Sequence, residues 1–347
     1  MTKNDVPAVL MEAEILEQPE VWRRLLASGQ FEQLADQVRQ RRPRMVLLAA
    51  RGTSDHAALY AKYLVEVTHQ VPAGLVSPST MTAYGARPDL RDVIMFGISQ
   101  SGGSPDLVRS LEVARAQGAL TLAVTNNAGS DLARAAELHI DILAGPERAV
   151  AATKSYTAQL LALYLLLDRI RGGAAAAAAA LPELGNELLG REPEIVAQAQ
   201  RYRFAQRLVT TARGYSYPTA REAALKLMET SYVSAQAFSG ADLMHGPLAI
   251  VDAQVPVLTA VGDGPGGRAM LEILPRLTGS GADVFTVGTP DAVAASTGGI
   301  VLPPGVPEEV SPILEILPFQ QLAMHLAVAR GEDPDAPRGL SKVTETL

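Results

Sequence analysis

The sequence has no cysteine. Disulfide scaffolds, thiolate zinc sites and cysteine nucleophiles are therefore outside this chain's chemistry. It also lacks a basic excess: 30 lysines and arginines stand against 37 aspartates and glutamates, a net charge of −7. Non-specific nucleic-acid binding depends on a positive field, so no nucleic-acid partner is expected. An anionic substrate would have to be held by local dipoles or single cations. No charge-free apolar run of 18 residues stands out; Leu160–Leu167 is short and ends at Asp168, so no membrane span is expected. The opening stretch MTKNDVPAVLMEAEILEQPE is acidic, without the long apolar core of a secretory leader, and a cytoplasmic location is the expectation. Neither HxxxH nor a paired-carboxylate spacing that fits a metal site is found, so no metal is expected, nor any other cofactor. GxSxG, the Walker loop and GxGxxG after the first strand are missing too, which removes the serine-hydrolase, P-loop and dinucleotide readings.

What remains is a chain of 347 residues, 48% hydrophobic and 19% charged. That composition excludes a disordered protein, and the length fits two domains of roughly 150 residues. Residues 1–40 carry a loose helical periodicity. Short apolar runs then alternate with helical stretches: 45–50, 93–98, 120–124 and 139–143, and again 208–212, 255–261, 283–287 and 300–302. This alternation predicts parallel sheets covered on both faces, an α/β fold. The strings AARGTSD at 49–55 and TARGYSY at 211–217 lie 162 residues apart. With the same element order on either side, they point to an internal duplication. Between the copies, Gly172 and Gly173 precede seven alanines at 174–180, a composition read as a loop and connecting helix. The expected division is an N-terminal helical segment at 1–40, a first domain at 41–170, a connecting helix and linker at 171–200, a second domain at 201–330 and a tail at 331–347. By composition alone, that polar, proline-containing tail reads as disordered.

Three places carry candidate chemistry. Ser99-Gln100-Ser101-Gly102-Gly103-Ser104 follows an apolar strand and precedes a helix, the carboxyl edge where open α/β sheets bind ligands. Hydroxyls, backbone N–H groups and a helix N-terminus together suit a phosphate monoester, and Thr53 and Ser54 end the neighbouring strand. Serine is also a preferred helix cap, which explains one such residue more easily than three. The second place is the helix expected from Pro218 to about Ala235, apolar on most sides. Its exceptions Glu222, Lys226 and Glu229 form one narrow stripe. The pattern leaves open whether this stripe is solvated or holds an acid/base group facing a cleft. The third is His245, followed by Gly246-Pro247 and so placed on a turn. Histidine is a common acid/base group, although a lone loop histidine is often only a surface residue.

These residues belong to longer strings: ARGTS at 50–54, ISQSGGSPD at 98–106, VAATKSYTAQL at 150–160, ALKLMETSYVSAQAFSGADLMHGPLAIVD at 224–252 and PRGLSKVT at 337–344. Taken together they resemble the double-SIS (sugar isomerase) family, which includes the isomerase half of glucosamine-6-phosphate synthase and stand-alone deaminases. The resemblance implies two flavodoxin-like SIS domains, each a five-stranded parallel sheet flanked by helices, in a homodimer. It implies that Thr53, Ser54, Ser99, Gln100, Ser101 and Ser104 grip the phosphate of a phosphorylated sugar. It implies Glu229 as the carboxylate moving a proton between C1 and C2, with Lys226 beside it, and His245 as a ring-opening histidine reaching in from the other subunit. Lys342 matches a lysine that engages the open-chain sugar, so the tail at 331–347 is expected to cover the active site. Arg51 and Ala152 stand where the synthase has Cys and Ser, and without cysteine no glutamine-hydrolysing nucleophile is present. The form SGxSPD at 101–106 resembles the deaminases more than the synthase. The expected reaction is glucosamine 6-phosphate plus water to fructose 6-phosphate plus ammonia. Alternatives are a synthase-like isomerase without its glutaminase half, deglycation of a fructosamine 6-phosphate, and a sugar-phosphate sensor without catalysis.

Overall fold

A computed structural model describes residues 8–342. They divide into two compact units. The first comprises residues 20–147 and 154–179 with Ser341 and Lys342; the second comprises residues 8–19, 148–153 and 180–340.

The first unit is built on β1 (Met45–Ala49), β2 (Ala73–Leu75), β3 (Val93–Ile98), β4 (Leu120–Thr125) and β5 (Leu138–Asp141). They form one sheet in the order β2-β1-β3-β4-β5, parallel throughout. Every residue of β3 and β4 is buried, which is why these segments read as unbroken apolar runs. Helices α1 (Thr53–Leu64), α2 (Pro105–Ala116) and α3 (Lys154–Ile170) belong to the same unit. Leu107 and Leu111 of α2 pack with Met95 of β3 and Ala123 of β4 in its core.

The second unit repeats the plan with β6 (Arg207–Ala212), β7 (Ser234–Ser239), β8 (Val257–Val261), β9 (Val284–Gly288) and β10 (Gly298–Val301). Read from β7, the order is β7-β6-β8-β9-β10, again parallel. The two sheets thus correspond strand for strand in the flavodoxin-like order, as a duplication requires. Here α4 (Tyr217–Ser231) lies against α5 (Ser311–Ala329), and the Thr230 and Ser231 hydroxyls donate to the Ala323 carbonyl oxygen at 3.2 and 2.9 Å. α5 is long and apolar enough to cross a membrane, yet 83% of its apolar stretch is buried inside the protein.

The structure departs from the residue pattern in three places. Apolar runs gave four strands per half, whereas each sheet has five. The additional strands β2 and β7 are edge strands, one of three residues and the other with the mixed sequence SAQAFS, and an edge needs no continuous apolar run. The helix expected to reach about Ala235 ends at Ser231, because Tyr232 turns into the left-handed region at φ 53°. The alanine run forms only a 3₁₀ turn, Ala176–Ala178, ahead of the helix Leu181–Leu189. Ala175 takes φ 57° and donates its N–H to Asp168 Oδ2 at 2.7 Å. A tertiary hydrogen bond overrides the alanines' helix propensity there.

Candidate active site

In the first unit, β1 and β3 are parallel neighbours, with Leu48 opposite Phe96 and Ala49 opposite Gly97. Their carboxyl ends therefore open side by side. The structure brings the two hydroxyl-bearing segments together there: Thr53 and Ser54 in the first turn of α1, and Ser99 to Ser104 between β3 and α2. Ser54 is buried and accepts a hydrogen bond from Gln159 Nε2 of α3 at 3.0 Å. Ser99 Oγ accepts from the Gly102 N–H at 3.1 Å, and Ser101 Oγ from the Gly103 N–H at 3.3 Å. Gly102 sits at φ 67°, and a Cβ there would strike the Ser130 side chain, so the turn requires glycine. The Gln100 carbonyl oxygen accepts from the Asn126 N–H at 3.0 Å, tying the loop to the end of β4. Ser104 holds the cap position of α2, yet its side chain makes no capping hydrogen bond. Helix capping therefore does not account for this serine.

A cation stands beside these loops. Arg51 pairs with Asp106 at 2.6 Å; its own side chain is half exposed, whereas the Asp106 side chain is buried. The sequence marks Arg51 only as a departure from the synthase; its partner lies 55 positions further on.

Lys342 also belongs to the first unit. Its Nζ lies 2.7 Å from Glu147 Oε2. Reasoning from the sequence missed Glu147 altogether. The available signal was its position, in a Gly-Pro-Glu segment after the last strand of the sheet and just ahead of the VAATKSYTAQL string.

In the second unit, α4 carries the charged stripe. Lys226 is fully buried, 3.4 Å from Glu222 and 2.5 Å from Glu229. Burial alone would lower the Lys226 pKa. The Glu229 and Glu222 carboxylates outweigh it and hold the ammonium above the ordinary lysine value. The two acids are not equivalent: Glu222 is fully buried, whereas 23% of the Glu229 side chain is exposed. His245 ends the short helix Gly240–Met244 and is exposed. Its Nδ1 lies 2.8 Å from the Ala241 carbonyl oxygen, which can only accept. Nδ1 is then the protonated nitrogen, and Nε2 is left as the proton acceptor.

The same unit holds two further buried acids. Glu315 of α5 is fully buried and accepts from Ser311 Oγ at 2.7 Å, Ser216 Oγ at 2.8 Å and Thr219 Oγ1 at 3.2 Å. Burial pushes its pKa up to about 7 despite those donors. Glu308 accepts from the Gly267 N–H at 2.8 Å, and a Cβ on Gly264 or Gly266 would land on its carboxylate. The loop after β8 is therefore folded around that side chain. Beside it, at the carboxyl ends of β8, β9 and β10, lies a cavity of about 500 Å³ whose lining includes Asp263, Arg268, Asp291 and Ser311. Among the described residues, no group of three metal-binding side chains occurs.

Known proteins share this layout. The family described as the SIS domain matches residues 40–169 and 202–287. The glutamine–fructose-6-phosphate aminotransferase of Thermus thermophilus is 34% identical over 86% of this chain, and that of Thermococcus kodakarensis is 36% identical over the same share. The chain spans about half the length of these curated relatives, 51% in both cases. Among solved structures, the C-terminal domain of a glucosamine–fructose-6-phosphate aminotransferase from Francisella tularensis is 26% identical, with a TM-score of 0.85 over 97% of this chain and 100% of its own. A glucosamine-6-phosphate deaminase from Thermotoga maritima shares the fold at 23% identity, with a TM-score of 0.74 over 97% of this chain and 99% of its own.

Proposed function

The chain belongs to the SIS domain family, and from that premise we propose that it is an amino-sugar phosphate deaminase, converting glucosamine 6-phosphate and water to fructose 6-phosphate and ammonia. The observation that carries this reading is the Glu222–Lys226–Glu229 cluster. A solvated stripe would not bury a lysine between two carboxylates and leave only one of them reaching the surface. Such a carboxylate, held against a fixed cation, is equipped to take a proton and return it one atom away.

The steps follow from the groups present. The serine loop with Thr53 and Ser54 holds the phosphate through hydroxyls and backbone N–H groups. His245 Nε2 takes the proton of the anomeric hydroxyl while the ring oxygen gains one, and the chain opens to the aldehyde. Glu229 removes the C2 proton and delivers it to C1, through an enaminol whose developing charge Lys226 steadies. The product is a C2 imine; water adds to C2, and ammonia leaves. The exposed position of His245 supports the expectation that it serves a second copy of the chain in a homodimer. The SGxSPD form and Arg51 favour deamination over the synthase reaction.

The test is to supply purified protein with glucosamine 6-phosphate, without glutamine, and to read ammonia and fructose 6-phosphate in parallel. Equimolar release of both is expected, with kcat reduced at least ~100-fold in Glu229→Gln. A fully active Glu229→Gln would remove the proton shuttle. Wild-type protein that released neither product, yet was stabilised by the sugar phosphate, would move the chemistry to another phosphosugar such as a fructosamine phosphate.

A further inference from the structure

We infer that Glu147 is the positioning residue for the tail lysine: a buried carboxylate, fixed by Ser155, that seats the Lys342 ammonium in the first unit. The inference concerns the same site and, for its catalytic consequence, rests on the phosphosugar reading above.

The Glu147 side chain is fully buried. Its Oε1 accepts from the Ser155 backbone N–H at 3.0 Å, and its Oε2 from Ser155 Oγ at 2.7 Å. Both donors lie in the first turn of α3, a helix of 17 residues. The carboxylate is thus anchored by its own unit before the tail contributes anything, in the place where a helix dipole favours an anion. Lys342 Nζ adds the third short contact, at 2.7 Å on Oε2, from a side chain still 24% exposed. Burial by itself would raise the Glu147 pKa, but the charge and hydrogen bond of Lys342, with those of Ser155, bring it below the ordinary carboxylate value. A buried carboxylate is stabilised by a cation, and Lys342, 195 residues further along the sequence, supplies one.

This arrangement assigns different work to the two ends of the pair. A lysine near the end of a chain has four rotatable carbons and no element of its own to fix them. The anchored carboxylate restricts Nζ to one location. Before Arg338, the tail is held by its own contacts: the Arg338 N–H donates to the Tyr232 hydroxyl at 2.8 Å, and its guanidinium lies 3.8 Å from the Tyr232 ring centre. Beyond Arg338, the contact to Glu147 holds the Lys342 ammonium. Glu147 acts through Lys342 and is no catalytic residue itself. If so, losing Glu147 and losing Lys342 remove the same contribution.

A double-mutant cycle reads this out. Glu147→Gln keeps the shape and can still bond Ser155, but it releases the ammonium. The expected result is a loss of kcat/KM of ~10- to 100-fold for Glu147→Gln and for Lys342→Met, with the double variant no worse than the weaker single one within ~3-fold. Multiplying losses, or a Glu147→Gln of wild-type activity, would overturn the inference. A second readout needs no turnover. Acylation of surface amines in the full chain, followed by mass spectrometry, should modify Lys342 at least ~5-fold faster in Glu147→Gln than in wild type, with Lys62 unchanged. Ser155→Ala, which keeps the carboxylate and loosens its anchor, should fall between the two. Equal Lys342 rates in all three proteins would overturn the seat. If wild-type protein turned over no phosphosugar at all, the proposed function would fail, and the labelling rates alone would decide the position of Lys342.

Discussion

At the scale of single residues, Glu315 shows how burial becomes a pH response. Its pKa stands at about 7 instead of 4.5, so between those values the folded chain holds a proton that the unfolded chain has released. Stability is therefore fully present below about pH 4.5 and falls as pH rises through about 7. At 1.36 kcal/mol per unit, the loss amounts to about 3 kcal/mol above that window. Glu315→Gln, which has no charge to bury, should show a flatter denaturation midpoint from pH 5 to 8 and exceed the wild type at pH 8. Parallel curves for the two proteins would mean that Glu315 ionises without penalty. The residue scale is also where the sequence was read unevenly. Ser99, Ser101 and Ser104 stood out because they fall within one six-residue stretch that follows an apolar run. The stripe pattern alone did not separate Glu229 from Glu222, and only the resemblance singled out Glu229; packing is what makes one of the two accessible. Glu147 and Lys342 escaped notice as a pair because nothing local in either segment points to the other.

At the scale of elements, the central strands and the edge strands β5 and β10 were readable, and the edge strands β2 and β7 were not. β3, β4, β8 and β9 are buried at every position and must be apolar, whereas β7, with water on one side, is free to be SAQAFS. In the alanine run the Asp168 side chain captures the Ala175 backbone N–H, so a loop and 3₁₀ turn come first and the connecting helix begins at Leu181. The loop between β8 and the helix Pro265–Leu271 offers a direct check on close packing. Gly264→Ala would force its new methyl group onto the Glu308 carboxylate. A destabilisation of ~1–3 kcal/mol is expected, from overpacking and from strained backbone hydrogen bonds to that carboxylate. Gly279→Ala, which meets nothing within 4 Å, is the control and should be near neutral. Equal midpoints for the two variants would show that the loop does not close on Glu308.

At the scale of the whole molecule, the duplication was visible in the sequence as a short repeated string and a matching element order, and the two sheets bear it out strand for strand. The overall charge of −7 has its own consequence. A phosphosugar held mainly by hydroxyls and backbone N–H groups gains little from long-range attraction, so its affinity should be nearly indifferent to salt. Raising NaCl from about 20 to 200 mM should change the Kd by less than ~3-fold in titration calorimetry. A loss beyond tenfold would show that cations, Arg51 first among them, carry the phosphate.

The corresponding loops of the two copies differ in what they hold. After β3 there are three serines between positions 99 and 104; after β8, between 262 and 267, there is neither serine nor threonine. The second loop wraps Glu308, an anion that is part of the chain and can never dissociate. Under the proposed function, the loop after β3 is the one that takes its anion from solution, whereas the loop after β8 closes on a carboxylate of the chain itself.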